Sequence, residues 1–329
     1  MDRIAFIIGA RFLYWSPMLL SLAAVGAVLL FLGLYLGKSE NGNAAALAVP
    51  LSVGFSLVLS RLVHWYCRPD SYASMLAALT DYSTGGYALM GVFAGCALAA
   101  LVLRLTRVSR NLPEMLDAMS IAGAAGIAVG RLASFFDTSA RGMLVASARA
   151  LPWVYPVTNA VSGQEEYRLA TFVFQAAVTG VLFLGLLLFW ISSRKRGTCR
   201  DGDVTLIFLL CHGAAQVLMD STRYDSLFFR SNGFVSIVQV LGALGIGLAA
   251  ILFSVRLVRQ QGFKVWYIGL WVVFAALMGI GGYMEYHVQR HAAEAVFAYS
   301  VMGTALVAII AWVLMIRFLA CRAPRETAV

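Results

Sequence analysis

Nine long apolar runs, at residues 12 to 37, 44 to 67, 83 to 105, 113 to 135, 169 to 193, 204 to 220, 233 to 257, 264 to 284 and 295 to 320, follow one another with only short polar interruptions. A hydrocarbon core about 30 Å thick is crossed by about 20 apolar residues in helical form. Inside it an unpaired amide or carbonyl costs several kcal/mol, so only helices and closed barrels span. Barrel strands are about 10 residues long and alternate in polarity. These runs are longer and do not alternate. The expected class is therefore all-α and polytopic, with about nine transmembrane helices. Composition agrees: 61% of the 329 residues are apolar and 12% charged, against roughly half and a quarter in a soluble domain. A water-soluble enzyme is excluded.

The formal charge of +9 does not indicate nucleic acid, because the basic residues sit in clusters between spans. Arg104, Arg107 and Arg110 follow the third run, Arg194, Lys195, Arg196 and Arg200 the fifth, Arg256, Arg259 and Lys264 the seventh, and Arg317, Arg322 and Arg325 the ninth. Cytoplasmic loops concentrate Lys and Arg. The pattern puts these loops and the C-terminus inside and the N-terminus outside, with Arg3 and Arg11 in mild opposition. The first run is too long for a signal-peptide core and reads as a retained span. The five cysteines lack CxxC spacing and are scattered along the chain, so neither a disulfide framework nor a metal site is expected.

The longest external loop, Asp137 to Arg168, carries nearly balanced charge and is either a lid or partner-binding arm or a loosely ordered connector. In the fourth run Gly126 and Gly130 stand at GxxxG spacing, which points to close helix packing.

Ionisable groups at membrane depth are costly and mark candidate sites. Arg131 closes the fourth run in Gly130-Arg-Leu-Ala-Ser-Phe-Phe-Asp137, where a guanidinium clamps a lipid phosphate bidentately or snorkels to the headgroups. His212, Gln216, Asp220 and Arg223 are spaced by four, four and three, so a helix stacks them on one face. Asp220 and Arg223 can pair. The imidazole of His212, with an unperturbed pKa near neutrality, suits a general base; the other reading is an interhelical hydrogen-bonded histidine. His64, beside Trp65 and Tyr66, reads as part of an interfacial aromatic belt. Thr84, Gly85 and Gly86 open the third run and would offer backbone N–H groups to an anion at a helix N-terminus. Glu285, His287, Arg290, His291 and Glu294 read as a solvated external turn.

With the segments placed, the order of motifs resembles the prolipoprotein diacylglyceryl transferase family of bacterial membrane enzymes, from roughly residue 50 to 258. Asp117, thirteen residues before Gly130-Arg131, is similar to the family's aspartate ahead of its Gly-Arg signature. Leu151-Pro-Trp-Val-Tyr-Pro156 resembles its Pro-Trp loop, and Arg168-Leu-Ala-Thr-Phe-Val-Phe-Gln175 its Arg-His-Pro-(Ser/Thr)-Gln-Leu-Tyr-Glu segment. His212-Gly213, Gln216, Asp220 and Arg223 align with Tyr-Gly, Arg, Glu and Arg, and Ser236 to Gln239 with a Ser-x-x-Gln opening. The family's layout is seven spans with an external N-terminus. The resemblance implies a core at residues 1–260, two additional helices and a short tail at 261–329, and a place in the bacterial inner membrane.

It further implies attack of a prolipoprotein cysteine thiol on the glyceryl carbon of phosphatidylglycerol, releasing glycerol phosphate, with no cofactor. On that alignment Arg131 and His212 are the candidate catalytic pair. Arg223, Gln216, Asp220, Thr84, Gly85, Gly86, Ser134 and Gln175 are candidate substrate contacts. The departures fall in the site: Thr84 stands where the family has histidine, Gln216 for arginine, His212 for tyrosine, Ser134 for asparagine, and Ser139 and Gln175 for glutamates. Two readings follow. One is a diverged transferase that moves a glyceryl or acyl lipid group at the outer leaflet, with His212 as a displaced base. The other is a lipid- or lipoprotein-binding subunit of a larger membrane assembly. No inverted halves or paired broken helices support a transporter.

Overall fold

In the computed structural model, which describes residues 4–8, 11–39, 41–81, 85–137, 139–145, 153–159, 162–197, 200–230, 235–291 and 294–322, the apolar runs are helices. They are α1 (Trp15–Leu36), α2 (Gly42–Cys67), α4 (Leu89–Leu105), α5 (Leu112–Arg131), α6 (Thr171–Lys195), α7 (Asp203–Ser221), α8 (Ile237–Gln261), α9 (Trp266–Arg290) and α10 (Ala295–Arg322), with a short helix α3 (Met75–Thr80) after α2. Eight of them are long and apolar enough to cross a bilayer, and α4, with 17 residues, is a shorter apolar ninth. Leucines and valines stand exposed along α1, α6 and α8, as lipid-facing surfaces require. The chain is a multi-pass helical membrane protein.

Two antiparallel hairpins lie at one end of the bundle. β1 (Ile4–Ile8) pairs with β2 (Arg11–Tyr14), and β3 (Val154–Thr158) with β4 (Glu165–Leu169). The first corrects the sequence reading: the first helix starts at Trp15, not at residue 12, because the residues before it are paired as strands. The second gives the long external loop an ordered part. α9 also runs on to Arg290, so Glu285 is a buried helix residue and not part of a turn.

Local chemistry sets the helix starts. Asn41 caps α2 by accepting from Ala44 N at 3.1 Å, and Ser236 and Gln239 form a reciprocal capping box on α8. Asp117 of α5 serves α7: its carboxylate accepts from Gly202 N at 2.7 Å and from both N and Oγ1 of Thr205 at 2.8 Å. Three donors at a buried helix N-terminus are thereby satisfied by one carboxylate. At the same end Asp203 pairs with Arg256 and, at 2.9 Å, with Arg317, tying α8 and α10 to α7.

Small residues set the closest approaches. A Cβ on Gly91 of α4 would lie 2.3 Å from Ser60 Cα of α2, and one on Gly213 of α7 would lie 2.6 Å from Gly242 O of α8. Buried apolar side chains form one cluster among α7, α8, α9 and α10, a second among α1, α2, α4 and α5, and a third among α5, α6 and α7. α7 borders the first and the third. Its polar face is therefore enclosed by protein.

Candidate active site

Helical spacing places His212, Gln216 and Asp220 on one face of α7, and all three are buried. α7 ends at Ser221, so Arg223 lies in the turn beyond it, where its NH1 meets Asp220 Oδ1 at 3.3 Å and its Nε meets Asp225 Oδ1 at 2.9 Å. The expected Asp220–Arg223 pair forms, and Asp225 is a second partner that sequence spacing did not reveal. Burial opposes the Arg223 charge, but the two carboxylates outweigh it and hold the guanidinium above its ordinary range. Burial would likewise raise the Asp225 carboxyl. The hydrogen bond and charge of Arg223, with Ala140 N donating at 2.9 Å, keep it below the usual carboxylate range.

The turn is held from several sides. Tyr224 N donates to Arg141 O at 3.2 Å, Gly142 bridges Arg223 in antiparallel pairing, and the Thr171 and Thr222 hydroxyls meet at 3.1 Å. Arg141 is buried between the rings of Tyr155 and Phe172, and its NH2 donates to Ser134 O and Asp137 O, each at 2.7 Å. Ser236 donates to the second Asp220 oxygen. The Ser-x-x-Gln opening thus both caps α8 and fixes the carboxylate that pairs Arg223.

On the facing helix, Gln175 of α6 donates to Gln216 Oε1 at 3.3 Å, and both side chains are fully buried. The remaining amide atoms, Gln175 Oε1 and Gln216 Nε2, have no hydrogen-bond partner among the described residues, nor do Nδ1 and Nε2 of His212. The imidazole is stacked on Phe208 at 5.0 Å between ring centres and meets Phe93 edge-on at 5.5 Å. Arg131, the last residue of α5, lies near enough for its charge to act on His212, and Arg223, Asp220 and Asp225 act on Arg131 in turn. Its guanidinium has no hydrogen-bond or ion-pair partner among the described residues. An unmet buried polar atom costs on the order of 1–3 kcal/mol. Four of them beside an unpaired guanidinium therefore suit a ligand carrying an anion and several hydroxyl or ester oxygens.

Other expected contacts lie elsewhere. Ser134, in a 3₁₀ turn Leu132–Phe135, is buried with its hydroxyl 3.0 Å from that of Ser139, which also bonds Asp137. That side chain braces the loop after α5. Thr84 lies outside the described residues. Gly85 and Gly86 are not at a helix N-terminus: α4 starts at Leu89, and the glycines precede it in the left-handed region at φ +65° and +83°. A helix-terminus anion site is therefore excluded there. Their carbonyls instead face Tyr72 and Arg61. His64 has a partner that the local pattern did not disclose, its Nδ1 lying 2.8 Å from the Tyr72 hydroxyl. The buried Arg61 within an apolar run was the signal available in the sequence.

A family model for prolipoprotein diacylglyceryl transferase matches residues 3–255, ending before α9. A phosphatidylglycerol–prolipoprotein diacylglyceryl transferase of Synechococcus elongatus is 28% identical over 261 residues, covering 77% of this chain and 87% of that protein. One of Finegoldia magna is 24% identical over 268 residues, covering 79% of this chain and 97% of that protein. With the match spanning all but the last helices, the chain belongs to the prolipoprotein diacylglyceryl transferase family.

Proposed function

We propose that this protein is a phospholipid transferase of the outer leaflet, moving a diacylglyceryl group from a phosphatidylglycerol-like lipid to the cysteine thiol of a prolipoprotein. The observation that carries this is the set of buried, unmet polar atoms on His212, Gln216 and Gln175 beside the unpaired Arg131. Arg131 takes the phosphodiester. Arg223, already neutralised by Asp220 and Asp225, orders the rim and adds little net charge. Arg131 is the cation left without an ion-pair partner among the described residues, and its guanidinium geometry matches the oxygens of a phosphodiester. The amides of Gln216 and Gln175 meet the hydroxyls of the headgroup, and His212 bonds the ester oxygen that departs with the phosphate.

In the reaction the thiol loses its proton, sulfur forms a bond to the glyceryl carbon, and the carbon–oxygen bond to phosphate breaks with its electron pair on oxygen. Negative charge grows on that phosphate, which a guanidinium placed beforehand stabilises. The basic ends of α4, α6, α8 and α10 face the cytoplasm on the positive-inside rule, which puts Arg131, His212 and the hairpins toward the outside.

The test uses the purified full-length protein in vesicles containing phosphatidylglycerol, with a cysteine-bearing lipobox peptide as acceptor. Thioether formation is expected in the wild type and a loss of about 100-fold or more in Arg131→Ala and His212→Ala, the scale of removing one transition-state donor. Undiminished transfer by both variants would sink the reading.

A further inference from the structure

A second imidazole stands near the end of α2. His64 lies one turn from the end of α2, and its surroundings are built around one hydroxyl. Tyr72 OH lies 2.8 Å from His64 Nδ1, accepts from Arg61 NH1 at 3.2 Å, and reaches the carbonyls of Gly85 and Gly86 at 3.3 and 3.4 Å. Arg61 is itself fixed, with its Nε donating to Ala78 O at 2.7 Å and its NH2 to Asp81 O. The glycines are required. A Cβ on Gly86 would lie 2.3 Å from Tyr72 OH and 2.8 Å from His64 Nδ1, at a φ of +83°. No residue larger than glycine leaves room for the pair.

A phenol has one proton and two lone pairs. Arg61 fills one lone pair, and the two glycine carbonyls are acceptors for the proton. Nδ1–H of His64 then fills the second lone pair. That tautomer leaves Nε2 as the basic nitrogen, and Nε2 has no partner among the described residues. A histidine with one nitrogen oriented by a fixed group and the other open is the arrangement of a general base. Among the described residues His212 has no such orienting partner.

The position connects to the lipid site. Arg68, one helical turn on and bonded through its N to His64 O at 2.9 Å, donates to Asp225 O at 3.1 Å, and Asp225 pairs with Arg223. The charges acting on His64 are those of Arg61 and Arg68.

We infer that His64 is the base that takes the proton from the acceptor thiol, with Tyr72 as its positioning residue. The inference rests on the transferase reading above. The proton moves from sulfur to His64 Nε2, sulfur bonds to the glyceryl carbon, and the phosphate leaves beside Arg131. The proton returns to water as the products separate. The two imidazoles thus divide the work, His64 on the acceptor and His212 on the lipid.

The experiment compares wild type, His64→Gln, Tyr72→Phe and Arg131→Ala in the same vesicles, following thioether formation from pH 5.5 to 9.5 and lipid retention on purification. His64→Gln is expected to lose about 100-fold or more at pH 7 while keeping its lipid, the scale of a general base. Its residual rate should climb about tenfold per pH unit up to the thiol pKa near 8.5, because the thiolate then forms unaided. Tyr72→Phe is expected to lose about tenfold and to shift the acid limb of the profile. Wild-type rates in His64→Gln, or a loss that raised pH does not restore, overturn the assignment while an inactive Arg131→Ala leaves the transferase reading intact. A wild-type protein that transfers nothing overturns both.

Discussion

Adding one methyl to Gly91 should force α4 away from α2. The methyl would lie 2.3 Å from Ser60 Cα and 2.4 Å from Ser60 N, where ordinary contact begins at 3.4 Å. The overlap of about 1 Å is with backbone, which has no rotamer to escape into, so the helices themselves must part. Gly95, one turn along α4, would meet Ser56 N at 2.4 Å and leaves no slack nearby. Overpacking of this kind costs about 1–3 kcal/mol, with backbone contacts at the upper end. The control is Gly26→Ala in α1, where nothing lies within 4 Å. Helix propensity alone favours that change by about 0.5–1 kcal/mol. The two variants should therefore differ by about 3 kcal/mol in unfolding free energy, measured by steric trapping in lipid–detergent bicelles. Function should follow, because Ala88 N donates to Ser60 O at 3.2 Å and the Gly85–Gly86 segment leads directly into α4. Transfer by Gly91→Ala should fall even where the protein stays folded. If the two alanine variants unfolded within about 0.5 kcal/mol of each other, the close α2–α4 seam would be refuted as a stabilising contact.

Asp117→Ala should cost about 3–5 kcal/mol in the same assay, since it orphans three donors at the buried start of α7. Asp225 gives a pH signature: its carboxyl is held below the usual range, so its contribution is present above the unfolded value near 3.9 and is lost as pH falls through the folded value. An acid titration of unfolding free energy should show a loss below about pH 4 in the wild type that is diminished in Asp225→Asn. Tyr299→Phe removes the hydrogen bond of 3.2 Å from α10 to Ser221 O. Steric trapping should register a loss of about 1 kcal/mol, the worth of one neutral bond.

The spans were legible because hydrocarbon imposes one rule on every residue at once, and the polar face of α7 because 3.6 residues per turn converts the spacing of His212, Gln216 and Asp220 directly into proximity. The hairpin at Ile4–Tyr14 was not, because its strands are apolar on both faces and merge with the helix that follows, erasing the alternation that marks a strand. Small-residue spacing was read at Gly126 and Gly130, where an added Cβ would lie 3.0 and 3.6 Å from side chains of α1, whereas the tighter seam is Gly91 and Gly95 against two serines. Spacing says that a backbone can come close, but only the partner helix decides whether it does.

The same limit hid His64. Its neighbours Trp65 and Tyr66 fit an interfacial belt, and nothing in that local pattern discloses a phenol eight residues later, beyond the helix end, that folds back to meet it. Periodicity reports on side chains of one element. Chemistry in this protein is assembled across elements, by Arg61 holding a loop, Asp225 holding Arg223, and Gln175 reaching Gln216 from the next helix. Replacement of a reactive residue at its aligned position therefore does not decide whether the reaction is lost. A glycine that excludes its own side chain can admit an imidazole from a neighbouring helix, and the place to look for a missing base is the space that such a glycine keeps open.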